Sequence, residues 1–291
     1  DGTVLRTRAV ARSTTGLDLK RLFIGTEGAM GIVTAATIRA FPVPAREVIH
    51  AFALPSFGAG FAAVARMYDD GLTPMVMDFE ETFQVPDGPW PTEAGPPELV
   101  LGFCGTREAV AASWQVARRR LRAAKAAPRP DREAREFWRT RHDIIYRLDE
   151  VAPGVAGADI FLKDVVFDYA HVALPRREVL TFRRRALAAV RKRRVSPLGF
   201  GIWTQPELVS LEMARPIRGD RRQAKAAVTS AIDEVLRIAQ RLGGSMEYVH
   251  GVGIALAHLM REELGPGLDV GWRLKRALDP GGRLNPGKLG W

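Results

Sequence analysis

The segment Gly25-Thr26-Glu27-Gly28-Ala29-Met30-Gly31-Ile32-Val33-Thr34 sets three glycines and one carboxylate between two apolar runs, Leu22-Phe23-Ile24 and the β-branched stretch from Ile32 to Ile38. Glycine accepts positive φ and lets a second backbone or a ligand come within contact distance. Such a loop suits the flank of a bound cofactor. It equally describes a Gly-rich turn between two strands, so its meaning depends on what the rest of the chain supplies.

Outward from the loop, residues 32–41 read as a strand stopped by Pro42 and Pro44, and residues 1–16 as a further strand and turn. The stiff Pro42-Val43-Pro44 piece suits a domain boundary. A regular alternation follows. Val48–Leu54 is a strand, Ser56–Asp70 a helix stopped by Gly71, and Pro74–Phe79 and Leu99–Cys104 are strands around a Pro/Gly-rich loop at 85–97. Thr106 caps a helix to about Ala127, with Val110, Trp114 and Leu121 on its inward stripe. After a Pro/Arg linker at 128–133, Arg135–Leu148 reads as helix and Phe161–Phe167 as strand. A helix opens at Pro175, Gly199–Trp203 and Leu208–Met213 are strands, and Asp220–Leu242 is a long helix ended by Gly243-Gly244. Both halves thus read β-α-β-β-α-β, the order of a ferredoxin-like α+β domain with an antiparallel sheet and flanking helices.

Composition narrows the class. At 291 residues a prior of roughly ~150 residues per domain suggests two domains. No apolar run approaches the ~18 residues of a membrane span. The start, Asp1-Gly2-Thr3, carries neither Met nor a signal peptide and suggests a piece of something longer. The single Cys104 excludes an internal disulfide and fits a cytoplasmic location. The formal charge of +10 raises nucleic acid as a partner. The Arg runs at 118–120, 183–185 and 191–194 lie on or just after helical patterns, where a solvated face accounts for them, and no nucleic-acid-binding motif accompanies them.

Two later stretches carry chemistry. Gly243-Gly244-Ser245-Met246-Glu247-Tyr248-Val249-His250-Gly251-Val252-Gly253 leaves a helix and reads as a short strand, which puts Tyr248 and His250 on one side. Histidine accepts protons at neutral pH, and tyrosine positions or donates one. A structural histidine before a Gly turn is the plainer alternative, and no cluster of metal ligands is visible, so no metal is expected. After amphipathic helices at Ile254–Leu264 and Leu268–Leu278 comes Leu278-Asp279-Pro280-Gly281-Gly282-Arg283-Leu284-Asn285-Pro286-Gly287-Lys288. There Asn285, standing before a proline, is expected in an extended conformation.

Gly25 to Ile32, His250-Gly251-Val252-Gly253 and Leu278 to Lys288 together resemble three ordered signatures of the FAD-linked oxidases with the vanillyl-alcohol-oxidase-type fold. That family includes glycolate and D-lactate dehydrogenases, D-2-hydroxyglutarate dehydrogenase and alkyl-dihydroxyacetonephosphate synthase. The resemblance implies that residues 1–45 end an FAD-binding domain, 46–265 form a substrate-binding cap, and 266–291 return to the FAD domain. It implies that Glu27, Gly28, Ala29, Met30, Gly31, Ile32 and Val33 run along FAD, that Asn285 lies near the flavin, and that His250, with Tyr248, serves the substrate. Expected partners are a small-molecule substrate and an N-terminal FAD subdomain in the same or a separate chain. A homodimer is compatible with this reading, and nucleic acid and a membrane span are not expected.

Two departures bear on the chemistry. The hydroxy-acid dehydrogenases carry metal-binding histidines in the stretch that corresponds to residues 196–205, and this chain has none there. Val249 replaces an acid or histidine of those relatives, and Ser210 stands near the synthase's catalytic tyrosine. Trp203 and Gln205 suggest instead a substrate that is stacked or hydrogen-bonded, aromatic or amide-bearing. The expected activity is oxidation of a hydroxylated small molecule, a 2-hydroxy acid first, by hydride transfer to flavin. The alternatives are a non-catalytic flavoprotein-like partner subunit and a synthase-like transferase.

Overall fold

The computed structural model describes residues 2–85, 94–143 and 165–291. The expected loop at 85–97, helix at 135–148 and strand at 161–167 lie partly outside them. Contacts divide the chain into two compact units, Asp1–Pro42 with Val249–Trp291, and Val43–Tyr248. Residues 249–265, expected with the cap, group with the first unit. The reason is local: the Glu27 carboxylate accepts from the backbone N–H groups of Val252 and Gly253, and Leu289 N–H donates to Gly253 O at 3.1 Å.

The larger unit is built on one antiparallel sheet. Its strands are β1 (Arg46–Ala53), β2 (Val76–Thr82), β3 (Glu98–Gly105), β4 (Ala127–Pro128), β5 (Val165–Ala173), β6 (Ser196–Trp203) and β7 (Leu208–Pro216). They lie in the order β4-β1-β3-β2-β6-β7-β5. β1, β3 and β2, followed by the short β4, make one ferredoxin-like half. β5, β6 and β7 make the other, joined to the first where β2 pairs with β6. The last strand expected of the second half is reduced to a single bridge between Ala173 and Ser245.

The helices follow from capping and periodicity. Ser56 Oγ accepts from Ala59 N–H to start α2 (Phe57–Asp69), and Thr106 Oγ1 does the same for α3 (Arg107–Ala123). α4 (Asp131–Thr140) begins where a linker was expected. Pro175 precedes a 3₁₀ turn and then α5 (Val179–Lys192), and the Asp220 carboxylate caps α6 (Arg221–Arg241). Apolar stripes, such as Phe57, Phe61, Val64 and Met67 on α2, cover one face of the sheet together with Phe79, Leu101, Phe200, Ile202 and Leu211. Each such fully buried side chain contributes about 1.5–3 kcal/mol. α2 lies so close that a Cβ on Gly60 would fall 2.2 Å from the Phe79 ring.

In the smaller unit the chain runs through α1 (Leu19–Phe23), α7 (Met260–Leu264) and α8 (Gly267–Leu278). The helix expected from Ile254 is thus only its last turn, preceded by a 3₁₀ turn at Ala257–Leu259. The strands expected at 1–16 and 32–41 are absent from the described residues. Ile32, Val33, Ile38 and Phe41 are 70–83% exposed. β-branched residues favour a pleated, half-buried surface, and without a neighbouring strand to pair with, that preference does not make a strand.

Candidate functional site

Within the smaller unit, the three stretches singled out in the sequence are tied into one polar network. Glu27 sits at φ +50, a conformation uncommon for any residue but glycine, asparagine and aspartate. Its side chain turns inward. Oε1 accepts from Val252 N–H at 2.6 Å and Oε2 from Gly253 N–H at 2.9 Å. Gly251 is required beside it, because a Cβ there would meet Glu27 Oε1 at 2.5 Å and φ is +80. The Glu27 carbonyl in turn accepts from the Asn285 amide. Asn285 is not extended as expected but left-handed, φ +42. Asparagine tolerates that region, and its own hydrogen bond holds it there against the usual restriction before proline.

A buried cation closes the network. The Lys275 ammonium, 5% exposed, donates to Ala29 O at 2.7 Å, to Leu284 O at 2.8 Å and to the Asp279 carboxylate. Asp279 also accepts from the backbone N–H groups of Arg283 and Leu284. Lys275 first, then these amides, hold the Asp279 carboxyl down at about 2. Lys275 fastens loop to tail, a role the sequence reading missed; its signal was a lysine four residues before an aspartate, facing it across one helical turn. Of the expected cofactor residues, Ala29 and Met30 are buried, Gly28 is exposed, and Ile32 and Val33 are largely exposed. His250 is exposed in the same unit.

Tyr248 belongs to the other unit, and the chain from 246 to 250 bends instead of extending, so the expected same-side pairing of Tyr248 with His250 does not arise. The Tyr248 hydroxyl is buried without a hydrogen-bond partner among the described residues. Burial first, then the charges of Glu247 and Asp78, push its pKa well above the usual tyrosine range. Its ring stands edge-on to His171 at 5.8 Å, and His171 lies 5.0 Å from Trp203 and 4.8 Å from Tyr169.

These rings stand on the sheet face opposite the helices. Strand register places Asp78 and Glu80 of β2, Gly199, Gly201 and Trp203 of β6, Ser210 and Glu212 of β7, and Tyr169 and His171 of β5 on this face. Gly199 makes room for two carboxylates, since its Cβ would lie 2.2 Å from Glu80 Oε1 and 3.3 Å from Glu212 Oε2. Burial, then the neighbouring Glu212, pushes Asp78 up to about 6. Burial, then Glu212 and Asp78, pushes Glu80 up to about 8, and burial also raises Glu212. Sequence reading stopped the strand at Phe79 and so missed the pair; the signal was acids two apart, Asp78 and Glu80, alternating with apolar Met77 and Phe79. Gln205 is exposed in the β6–β7 turn, off the face that carries Trp203. Among the described residues no three or more His, Cys, Asp or Glu side chains are grouped to hold a metal ion. None of their helices is long and apolar enough to cross a membrane.

Comparison with known proteins follows the same lines. Residues 43–289 match the family described as FAD linked oxidases, C-terminal domain. Over 99% of its length the chain is 27% identical to a probable mitochondrial D-lactate dehydrogenase of Danio rerio and 25% identical to glycolate oxidase subunit GlcD of Bacillus subtilis. It spans 58% and 61% of those two relatives. Its fold matches that of an alkyldihydroxyacetonephosphate synthase with a TM-score of 0.63 at 18% identity, covering 97% of this chain and 50% of that one. It also matches 4-ethylphenol oxidase of Gulosibacter chungangensis with a TM-score of 0.58 at 17% identity, covering 86% and 54%. The match over residues 43–289 shows that the chain belongs to the FAD linked oxidases and carries the C-terminal domain of that family.

Proposed function

We propose that this chain is the C-terminal part of an FAD-dependent oxidoreductase that oxidises a hydroxylated small molecule, with 2-hydroxy acids the first class to test. The observation that carries the reading is the network joining Glu27, Val252-Gly253, Lys275, Asp279 and Asn285, because it fixes a glycine loop, a histidine-bearing turn and a tail as one piece. The names of the relatives, D-lactate dehydrogenase and glycolate oxidase subunit, support the substrate class.

The loop fits a flat cofactor on its own geometry. Gly25 at φ +82 has open space where a side chain would stand, and the one carboxylate of the loop is turned inward, away from any phosphate laid along it. Residues Glu27 to Val33 would hold FAD through backbone groups, and Asn285 would fix the loop by binding the Glu27 carbonyl. Bound FAD supplies the hydride acceptor. His250, exposed beside the Gly251–Gly253 turn, would take the hydroxyl proton of the substrate or anchor it. Residues 43–248 would form the cap that orients the substrate, with Tyr248 in its wall. The lone Cys104 supports a cytoplasmic location in this reading.

The test is a flavin absorbance spectrum of the full-length protein that contains this chain. Bound flavin bleached anaerobically by a 2-hydroxy acid is expected, with bleaching at least ~100-fold slower in His250→Ala. A complete protein that binds no flavin would overturn the reading and favour the non-catalytic partner subunit.

A further inference from the structure

Elsewhere in this Arg-rich chain, several carboxylates drawn out of water meet donors of the chain, backbone N–H groups for Glu27 and cations for the next three. Glu81 is paired with Arg183, Glu207 with Arg176 and Asp279 with Lys275. Asp78, Glu80 and Glu212 break the pattern. All three are half-buried on the sheet face opposite the helices, and none has a hydrogen bond or ion pair to a described residue. On that face β2, β5, β6 and β7 present no Lys or Arg. Unpaired carboxylates out of water are costly, and three on one patch more so.

A second set of groups on the same face is equally unmet. Ser210, 2% exposed and flanked in register by Gly201 and His171, has a buried hydroxyl with no partner among the described residues. Trp203 Nε1 and the Tyr248 hydroxyl are buried without partners among the described residues too. The glycines at 199 and 201 leave the floor between them flat. Buried polar atoms are nearly always satisfied, so several together on one face mark a place where another molecule supplies the bonds.

The unmet groups define that molecule. Ionised, the three carboxylates accept only, so a donor with positive charge both fills them and holds them ionised. The Trp203 indole offers a ring face to a cation, while its N–H can only donate and so requires an acceptor on the ligand. The two hydroxyls serve either role. We propose that this face binds a hydroxylated amine, its ammonium or guanidinium group held by Asp78, Glu80 and Glu212 and its hydroxyl oxygen by Trp203. The cation site stands on the sheet face alone; that the bound amine is the substrate rests on the oxidoreductase reading above. An amino-bearing hydroxy acid satisfies both, whereas a hydroxy acid without an amine sets its carboxylate against three others.

The test uses three probes of one shape and different charge, benzylammonium, benzyl alcohol and benzoate, titrated calorimetrically into the full-length protein at pH 7.5. Benzylammonium is expected to bind at least ~10-fold more tightly than benzyl alcohol, and benzoate most weakly, as a charge-assisted hydrogen bond implies. Glu80→Gln and Glu212→Gln, both isosteric, each reduce that preference about 10-fold and leave benzyl alcohol unchanged. Benzoate binding as well as benzylammonium, or a cation preference that survives in the double variant, overturns the proposal; the wild-type series decides even if a variant fails to fold. A flavin-free protein that prefers benzylammonium sinks the oxidoreductase reading and leaves the cation site. A flavin bleached by mandelate in a protein with no such preference sinks the cation site and leaves the oxidoreductase reading.

Discussion

Glu80 and Glu81 are neighbours in one strand and live in opposite chemistries. Alternation sends Glu81 to the helix side, where Arg183 donates to both of its oxygens while the guanidinium lies 5.3 Å from the Phe57 ring centre. The same alternation sends Glu80 to the opposite face, over Gly199 and beside Glu212, with no cation among the described residues. The smaller unit resembles the Glu81 side: Glu27 and Asp279 both have their oxygens filled by donors of the chain itself. The contrast separates carboxylates that hold the fold from carboxylates that the fold has to tolerate. Groups of the first kind are silent about ligands; groups of the second kind need a reason outside the chain.

The first way to break the comparison is Lys275→Ala. It strips a donor from three acceptors at once, two of them carbonyls, and leaves Asp279 without its cation. Of the substitutions considered it should lower the melting temperature most, measured by circular dichroism, and should loosen loop and tail together. A smaller loss than that of Arg183→Ala would show that the network is decorative.

The second sets the two neighbours against each other. Arg183→Ala leaves Glu81 buried and unpaired and should lower stability by about 3 kcal/mol in a denaturant titration. At pH 7 Glu80→Gln replaces an unpaired carboxyl that the fold keeps protonated with a neutral isostere, so it should cost nothing and lie about 1 kcal/mol or more on the stabilising side. Equal losses from the two would erase the distinction.

The pH dependence sharpens the same point, with opposite signs. The Glu80 carboxyl is raised from 4.5 to about 8, so between those values the folded protein holds a proton that the unfolded chain has released. That contribution is fully present below about 4.5 and is lost as pH rises through 8. Glu80→Gln should therefore lie nearest wild type at pH 5 and exceed it by progressively more as pH rises to 8, with the excess level beyond that. Asp279, held down at about 2 from 3.8, behaves the other way: its contribution is present above about 4 and is lost as pH falls through 2. Asp279→Asn should remove the stability loss between pH 4 and 2 and leave the alkaline slope untouched.

Much of this was legible in the sequence, for physical reasons that also explain the rest. Helix caps at Ser56, Thr106 and Asp220 are local chemistry, and each starts its helix as read. The antiparallel α+β architecture followed from the order of periods. The three motif stretches were found because glycine, proline and a histidine mark them; that Glu27 grips Val252 and Gly253 was not, since 225 residues separate the first pair. Residues 32–41 failed as a strand because strand propensity is realised only in pairing. The face opposite the helices escaped because its acids are ordinary residues, and only strand register brings Asp78 and Glu80 beside Glu212.

The smallest effect tests that face most directly. Ser210→Ala deletes one buried oxygen that no described residue meets. A buried hydroxyl without a partner costs about 1–3 kcal/mol, whereas a hydrogen-bonded one contributes about 1 kcal/mol. In the protein without ligand, removal should therefore leave stability unchanged or raise it by up to about 1 kcal/mol, read by urea unfolding with an unchanged slope. With a hydroxylated amine such as 2-amino-1-phenylethanol bound, the sign should reverse, because the ligand hydroxyl then offers the oxygen a donor. A loss of more than about 1 kcal/mol without ligand would place Ser210 with Glu81 among the groups that hold the fold.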